Sequence, residues 1–266
     1  MNSIGLIAGN GQLPKLFVEA ARAQGLAVHV VAMEGEADPS LASLATSLSW
    51  VKVGQLNAAV KQFRSKGVTR AVMAGGVRRI RSLAQVRPDL GLPRVAASLR
   101  SLRDDELLRA IARFFEGHGI EIVAPTELAK SVLAQPGHLA GVPLSQREAR
   151  DVELGVEVAL ALGRADVGQT VVVKEGVVLA VEAIEGTDEC IRRAGRLGGP
   201  GAVVVKRCKP SQDLRFDLPA AGPVTLEVMR EAGARVLAVE AGKSVLLDTQ
   251  LLFLDAERLG LSVVAR

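Results

Sequence analysis

The amino-acid sequence predicts an α/β protein: an N-terminal Rossmann-like domain on a parallel sheet, followed by a C-terminal mixed α/β domain. Three observations carry that prediction. Short apolar runs alternate with segments of helical period in both halves, the pattern of strands covered by helices. Glycines fall where strand should give way to helix, and an apparent hairpin in the second half breaks the parallel run. Between them, "AQPGHLAGVPLS" loses its apolar periodicity to Pro, Gly and polar residues, as domain boundaries do. The divisions are therefore set at 1–134 for the first domain, 135–145 for a linker and 146–266 for the second.

The elements follow in order. "SIGLIAG" reads as a buried strand and "LPKLFVEAARAQG" as a helix, opened by Pro14 and closed by Gly25. "LAVHVVAM" returns as a strand, completing a β-α-β unit. The pattern repeats with "SWVKVG", "LNAAVKQFRSKG" and "VTRAVMAGG", then a helical stretch over about 93–116 and the strand "GIEIVAP". In the second half, "SQRE" fits a capping box in which Ser145 and Glu148 satisfy each other's amides, starting a helix to about Gly163. "TVVV" and "VVLAVEA" flank a turn at Lys174, Glu175 and Gly176. A loop and helix in "EGTDECIRRAGRLGG", the strand "AVVVKRC", the helix "TLEVMREAG", the strand "RVLAVEA" and a last strand-helix-strand complete the chain.

Composition narrows the function. At 48% hydrophobic and 23% charged the chain is globular. With no Tyr, one Trp and six Phe it lacks the rings on which single-stranded nucleic acid stacks, so no nucleic-acid partner is expected despite a sequence pI near 9.3. Residues 1–140 carry 17 Lys and Arg against 11 Asp and Glu, with a dense patch at Arg78, Arg79 and Arg81. Such a face suits a polyanionic ligand, an anionic membrane surface or water alone. Cys190 and Cys208 make no disulfide framework, and the three histidines have no zinc spacing. No signal-like amino terminus and no 18-residue apolar run are present, so a cytoplasmic protein is expected, with peripheral membrane contact left open.

Several motifs carry candidate chemistry. "IAGNGQLP" is a strand-to-helix turn in which Gly9 and Gly11 admit close backbone approach, but Pro14 stands where a dinucleotide fingerprint has its third glycine. "MAGGVRR" ends a second strand with Gly75 and Gly76. Both turns fit a nucleotide cleft, and both fit tight turns with no ligand. Asp104 and Asp105 open a helix, where the macrodipole favours carboxylates in any case. Glu182, Glu185 and Asp188 lie within seven residues and repel one another unless solvated, separated or held by a cation. "KPSQDLRFDLPAAGP" holds Asp213, Arg215 and Asp217 together. If "AVVVKRC" pairs beside the hairpin, this loop and the "EGTD" turn leave the same end of the sheet, bringing Glu185, Asp188, Asp213 and Asp217 toward Lys209 and Arg215. Such a mixture suits a metal ion and phosphate together; a solvated turn is the plainer alternative.

In the same order along essentially the whole chain, "IAGNGQLP", "AGGVRR" with "RPDL", "DDELLR", "DVGQTVVVKEGVVLAVEAIEGTD", "KPSQDLRFDLPAAGP" and "VEAGKSVLLD" resemble the two-domain bacterial UDP-2,3-diacylglucosamine pyrophosphatases of lipid A synthesis. The resemblance implies hydrolysis of that lipid-linked UDP-sugar to UMP and 2,3-diacylglucosamine 1-phosphate with a divalent metal, Mg²⁺. It implies a cytoplasmic enzyme, with contact to the inner membrane and homodimerisation as further expectations. Asp217 matches the family's essential aspartate, with Asp188 and Asp213 assisting and Asp217, Asp188 and Glu185 as metal ligands. Substrate contacts are expected from Gly9, Gly11, Gly75, Gly76, Asp104, Asp105, Thr187, Lys209, Gln212 and Arg215. The chain departs from the family pattern at Arg207 and Cys208, where small residues are more common, and at Arg103, where glycine is usual. From other classes, a Rossmann-type oxidoreductase and a non-catalytic nucleotide-sugar-binding regulator are the alternatives.

Overall fold

The computed structural model describes residues 3–77, 89, 91, 104–127, 130–210, 212–216 and 218–266. The chain forms two compact units. The first comprises Met1–Ser131 together with Asp213–Phe216, and the second Val132–Gln212 together with Asp217–Arg266.

In the first unit, β1 (Ser3–Ala8), β2 (Ala27–Met33), β3 (Ser47–Val51), β4 (Arg70–Ala74) and β5 (Glu121–Val123) form a sheet in the order β3-β2-β1-β4-β5. Every pairing is parallel. Buried on both faces, β1 is apolar nearly throughout rather than alternating. Helices α1 (Leu13–Ala23), α2 (Leu41–Leu44), α3 (Leu56–Ser65) and α4 (Asp104–Glu116) join them. Pro14 stands in the first turn of α1, where a missing N–H costs nothing, and the chain leaves the helix through Gly25 in a left-handed conformation. Phe63, Phe115 and Ile120 fill the core between α3, α4 and the sheet. Asp89, from the "RPDL" segment, accepts from the amides of Ala58 and Gly91 and so caps the first turn of α3. The expected strand "SWVKVG" lies earlier, at β3, where Leu48 pairs with Val30; Trp50 on this edge strand is half exposed. The patch at Arg78, Arg79 and Arg81 lies outside the described residues.

The second unit contains β6 (Gly137–Gly141), α5 (Gln146–Arg164), β7 (Thr170–Lys174), β8 (Val177–Val181), α6 (Thr187–Gly198) and β9 (Val203–Lys206). It continues with β10 (Ala220–Ala221), α7 (Pro223–Ala232), β11 (Val236–Val239), β12 (Val245–Leu246), α8 (Thr249–Arg258) and β13 (Ser262–Ala265). The sheet order is β6-β13-β11-β9-β7-β8. Strands β9, β11 and β13 are parallel, β7 runs antiparallel to β8 and β9, and β6 runs antiparallel to β13, so the sheet is mixed as the hairpin implied. The stretch 135–145, expected to be a linker, contains β6. Bracketed by glycines at 137 and 141, it escaped periodicity because it is an edge strand only five residues long. Likewise β10 and β12, two residues each, pair in parallel with too little length to show a pattern.

The capping box forms: Glu148 N–H donates to Ser145 Oγ, and Ser145 N–H donates to Glu148 Oε2 at 2.7 Å. From the same helix Asp151, 3% exposed, accepts from the amides of Glu175 and Gly176 at 2.8 and 2.7 Å and ties α5 to the hairpin turn. Alternate strand residues face opposite layers. Val172, Val204 and Leu237 join Ile191, Leu226 and Leu252 on the α6–α8 side, while Val203, Val205 and Val236 pack with Val152 of α5. No helix among the described residues is long and apolar enough to cross a membrane.

Candidate functional site

Open parallel sheets gather ligands outside the carboxyl ends of their strands, where the strand order reverses. In the first unit that point lies between β1 and β4, and both glycine turns flank it. They meet each other there. Gly9 N–H donates to Ala74 O at 2.9 Å, Asn10 N–H to Gly76 O at 2.7 Å and Gly76 N–H to Asn10 O at 3.1 Å. A Cβ on Gly9 would stand 2.2 Å from Gly76 O, and one on Gly75, at φ +84°, 2.3 Å from Asn10 O and 2.9 Å from Pro14 Cγ. Loop-to-loop packing thus accounts for Gly9 and Gly75 without a ligand. Gly11, at φ +88°, is needed for its backbone angle alone. The Asn10 amide donates to Glu36 Oε2 at 2.7 Å, joining the turn to the loop after β2.

Asp104 and Asp105 occupy the first turn of α4; their side chains lie outside what is described. The first unit also holds Asp213–Phe216. Arg215 grips Asp213 through Nε and an Nη, at 3.0 and 2.8 Å, and reaches Glu116 of α4 at 3.1 Å. Arg109 adds a second guanidinium 3.7 Å from Asp213. The hydrogen bonds from Arg215, reinforced by both arginine charges, hold the Asp213 carboxyl below the ordinary aspartate value of 3.8 despite partial burial. Arg215 also lies 4.9 Å from the ring centroid of Phe216, which packs on the core around Phe63 and Phe115. Asp213 is therefore an ionised anchor for two arginines. Asp217, the residue from which most was expected, lies outside the described residues.

In the second unit the topology meets the condition set by the sequence. Strand β9 pairs with β7 of the hairpin, and two successive antiparallel pairings make β8 and β9 end at the same edge. The Gly186–Thr187–Asp188 turn leaves from β8, and Lys209 follows β9. Gly186 takes φ +84° before α6 and offers no side-chain cap. Asp188 is exposed in the first helical turn, and no ion pair engages it among the described residues. Glu185 is committed to Arg193 and also accepts from the Ala183 amide; these bonds, the arginine's first, hold its carboxyl below the usual glutamate range. Lys209 Nζ pairs with Asp166 at 2.7 Å, and its amide donates to Gln212 Oε1 at 2.9 Å.

Beneath these groups runs a polar row in which the motifs single out Glu182, as one of three clustered acids, but neither Thr170 nor Lys206. Thr170, Glu182 and Lys206 are 1%, 8% and 9% exposed, at or next to strand termini whose neighbouring residues on that face, Val172, Ala180 and Val204, are core. Thr170 stands in register with Lys206, and the Glu182 amide donates to Thr170 O at 2.9 Å. Thr187 Oγ donates to Glu182 Oε1 at 3.1 Å and lies 3.2 Å from Thr170 Oγ. Lys206 Nζ donates to Ala220 O at 2.9 Å. The available signal was parity: each residue continues the inward alternation of Val172, Ala180 or Val204 by one step.

A divalent metal fits these residues only in part. Among the described residues no three His, Cys, Asp or Glu side chains gather to hold one. Glu185 is taken up by Arg193. Mg²⁺, however, commonly uses one or two carboxylates and fills its shell with water and substrate phosphate, a role open to Asp188.

A parallel sheet with its order reversing between β1 and β4, joined in one chain to a mixed sheet whose edge carries acids, lysines and a helix start, defines a two-unit α/β protein of Rossmann type. The family model of the LpxI N-terminal domain matches residues 3–132, and that of the LpxI C-terminal domain matches 135–264. The chain belongs to the LpxI family. It is similar to the UDP-2,3-diacylglucosamine pyrophosphatase LpxI of Caulobacter vibrioides, with 34% identity over 99% of this chain and 97% of the relative. Among solved structures, the biotin carboxylase domain of a thermophilic 2-oxoglutarate carboxylase is 15% identical at TM-score 0.30, over 75% of this chain and 34% of that one. The phosphoribosylglycinamide synthetase of Anaerococcus prevotii is 12% identical at TM-score 0.29, over 77% and 45%. The chain thus spans less than half of either, and scores this low carry no argument.

Proposed function

We propose that the chain hydrolyses the pyrophosphate bond of UDP-2,3-diacylglucosamine, yielding UMP and 2,3-diacylglucosamine 1-phosphate for lipid A biosynthesis. The observation that carries this reading is the match of both LpxI domain models across nearly the whole chain, with 34% identity to the Caulobacter pyrophosphatase. In the reaction, water adds to one phosphorus of the anhydride while the bond to the bridging oxygen breaks. Catalysis of such a step is mainly positioning and neutralisation of charge. Asp217 is assigned the attacking water or the metal, Asp188 assists it, and Lys209 and Arg215 take up phosphate charge. For Lys209 this requires exchange of its present partner Asp166, and for Arg215 release of Glu116 while Asp213 is kept. Asp213 then serves through Arg215, whose guanidinium it orients.

Magnesium belongs to the same proposal, with Asp188 as the described candidate ligand; when bound it would neutralise phosphate charge. We further infer a cytoplasmic setting, peripheral contact with the inner membrane that carries the acylated substrate, and a homodimer. Incubation of the purified protein with UDP-2,3-diacylglucosamine and Mg²⁺ should release UMP. Absence of UMP alongside tight UDP-sugar binding would favour a regulator instead. EDTA should abolish turnover, and turnover undiminished by EDTA removes the metal.

A further inference from the structure

Glu182 is held where a carboxylate is costly. It is 8% exposed, and its Oε2 is buried with no hydrogen-bond partner among the described residues. Its backbone is firmly placed: the amide donates to Thr170 O, and the carbonyl passes so near Gly168 that a Cβ there would stand 2.0 Å away. What the side chain does from this fixed base is accept the Thr187 hydroxyl through Oε1. Gly186 supplies no cap to α6; the Glu185–Arg193 pair ties the residue before it to the helix, and the side-chain restraint on Thr187 itself comes from Glu182 and Thr170.

We propose that Glu182 is a positioning residue for the hydrolysis: through the Thr187 hydroxyl it fixes the Gly186–Thr187–Asp188 turn, and hence Asp188, in one orientation for the substrate. This rests on the proposed function, in which that turn belongs to the site. A link kept for stability alone would do as well with an apolar pair. Buried ionic groups are often replaced by apolar side chains of like volume without loss of stability. A carboxylate half-satisfied at the edge used by the site is instead the expected mark of stability given up for function.

The test uses the full-length protein at a temperature well below its melting point. Glu182→Leu should keep or raise the melting temperature yet lower kcat about 10- to 100-fold, with KM little changed, as small misplacements do. Glu182→Gln, whose carbonyl still accepts from Thr187, should recover most of that loss. Thr187→Val should lower kcat similarly, and the double variant Glu182→Leu/Thr187→Val should be no slower than the slower single variant, because the two act as one unit. Wild-type kcat in Glu182→Leu, losses that multiply in the double variant, or a Glu182→Leu chain that does not fold would each overturn the inference. Failure of wild-type protein to release UMP is a separate result, read before any variant is made, and it rejects the proposed function itself.

Discussion

The carboxyl edges of the two sheets are built in opposite ways. In the first unit the loops after β1 and β4 close on each other through backbone hydrogen bonds, and the glycines at 9 and 75 are the residues that let them touch. In the second unit the edge is made of side chains: Glu182, Thr170 and Lys206 buried in a row, with Thr187 and Asp188 above them at the start of α6. One edge is explained by packing. The other keeps a buried carboxyl incompletely satisfied among the described residues, which packing does not explain. The contrast shows that a glycine-rich turn after a strand is weak ground for a ligand, whereas a buried carboxylate with a spare oxygen at a strand end is stronger ground.

The largest effect that would sharpen this contrast is expected at Asp217, assigned by the family motif. Asp217→Ala should lower the rate of UMP release by roughly a hundredfold or more while circular dichroism stays native. Near-normal release would remove Asp217 from the chemistry. The first unit should respond in stability instead. Gly9→Ala forces a methyl group to 2.2 Å from Gly76 O and should destabilise by about 2–3 kcal/mol in chemical denaturation. Gly11→Ala meets nothing within 4 Å and should lose only about 1 kcal/mol, from its positive φ. Equal losses at the two positions would break the packing account.

A smaller effect is expected at Asp213. Its folded carboxyl titrates below 3.8, so the pair with Arg215 stabilises fully above that value and the contribution disappears as the pH falls through the depressed value. Asp213→Asn should therefore lose about 1 kcal/mol near neutrality and converge with wild type at pH values below the folded titration. A constant difference between the two proteins down the acid limb would count against the ion pair. Least of all should happen at Cys190, whose thiol burial pushes up to about 12. Reaction with a thiol reagent at pH 8 should be negligible until the protein is unfolded, and rapid labelling of the native chain would show that this part of the core opens.

Much of the fold was legible because long, strongly patterned segments announce themselves. The strands at "SIGLIA" and "TVVVK" are apolar runs covered on both faces, and the capping box at Ser145 and Glu148 is a local bond between residues three apart. Strand β6 was not legible, since a short edge strand between glycines has neither length nor alternation to show. The acids at 182, 185 and 188 stood out as a cluster of like charge, and the loop at 209–217 as one of mixed charge. Glu182 stood among the acids with solvation, separation and a cation all open to it, because nothing local distinguishes an acid facing water from one turned onto a core. Arg215 likewise gave no sign that it would be shared between Asp213, two residues away, and Glu116, which lies 99 positions earlier.

By itself the sequence determined most of the longer helices and strands, the α/β class of both halves, and which family the motifs belong to. All of these depend on periodicity and short-range chemistry, written in neighbouring residues. The tertiary structure alone decided that β8 and β9 finish at one edge, that the two glycine turns fill each other's space, and that Glu182 is buried beneath Thr187. Each of those follows from the order in which strands pair, and pairing brings together residues whose separation along the chain carries no local signal.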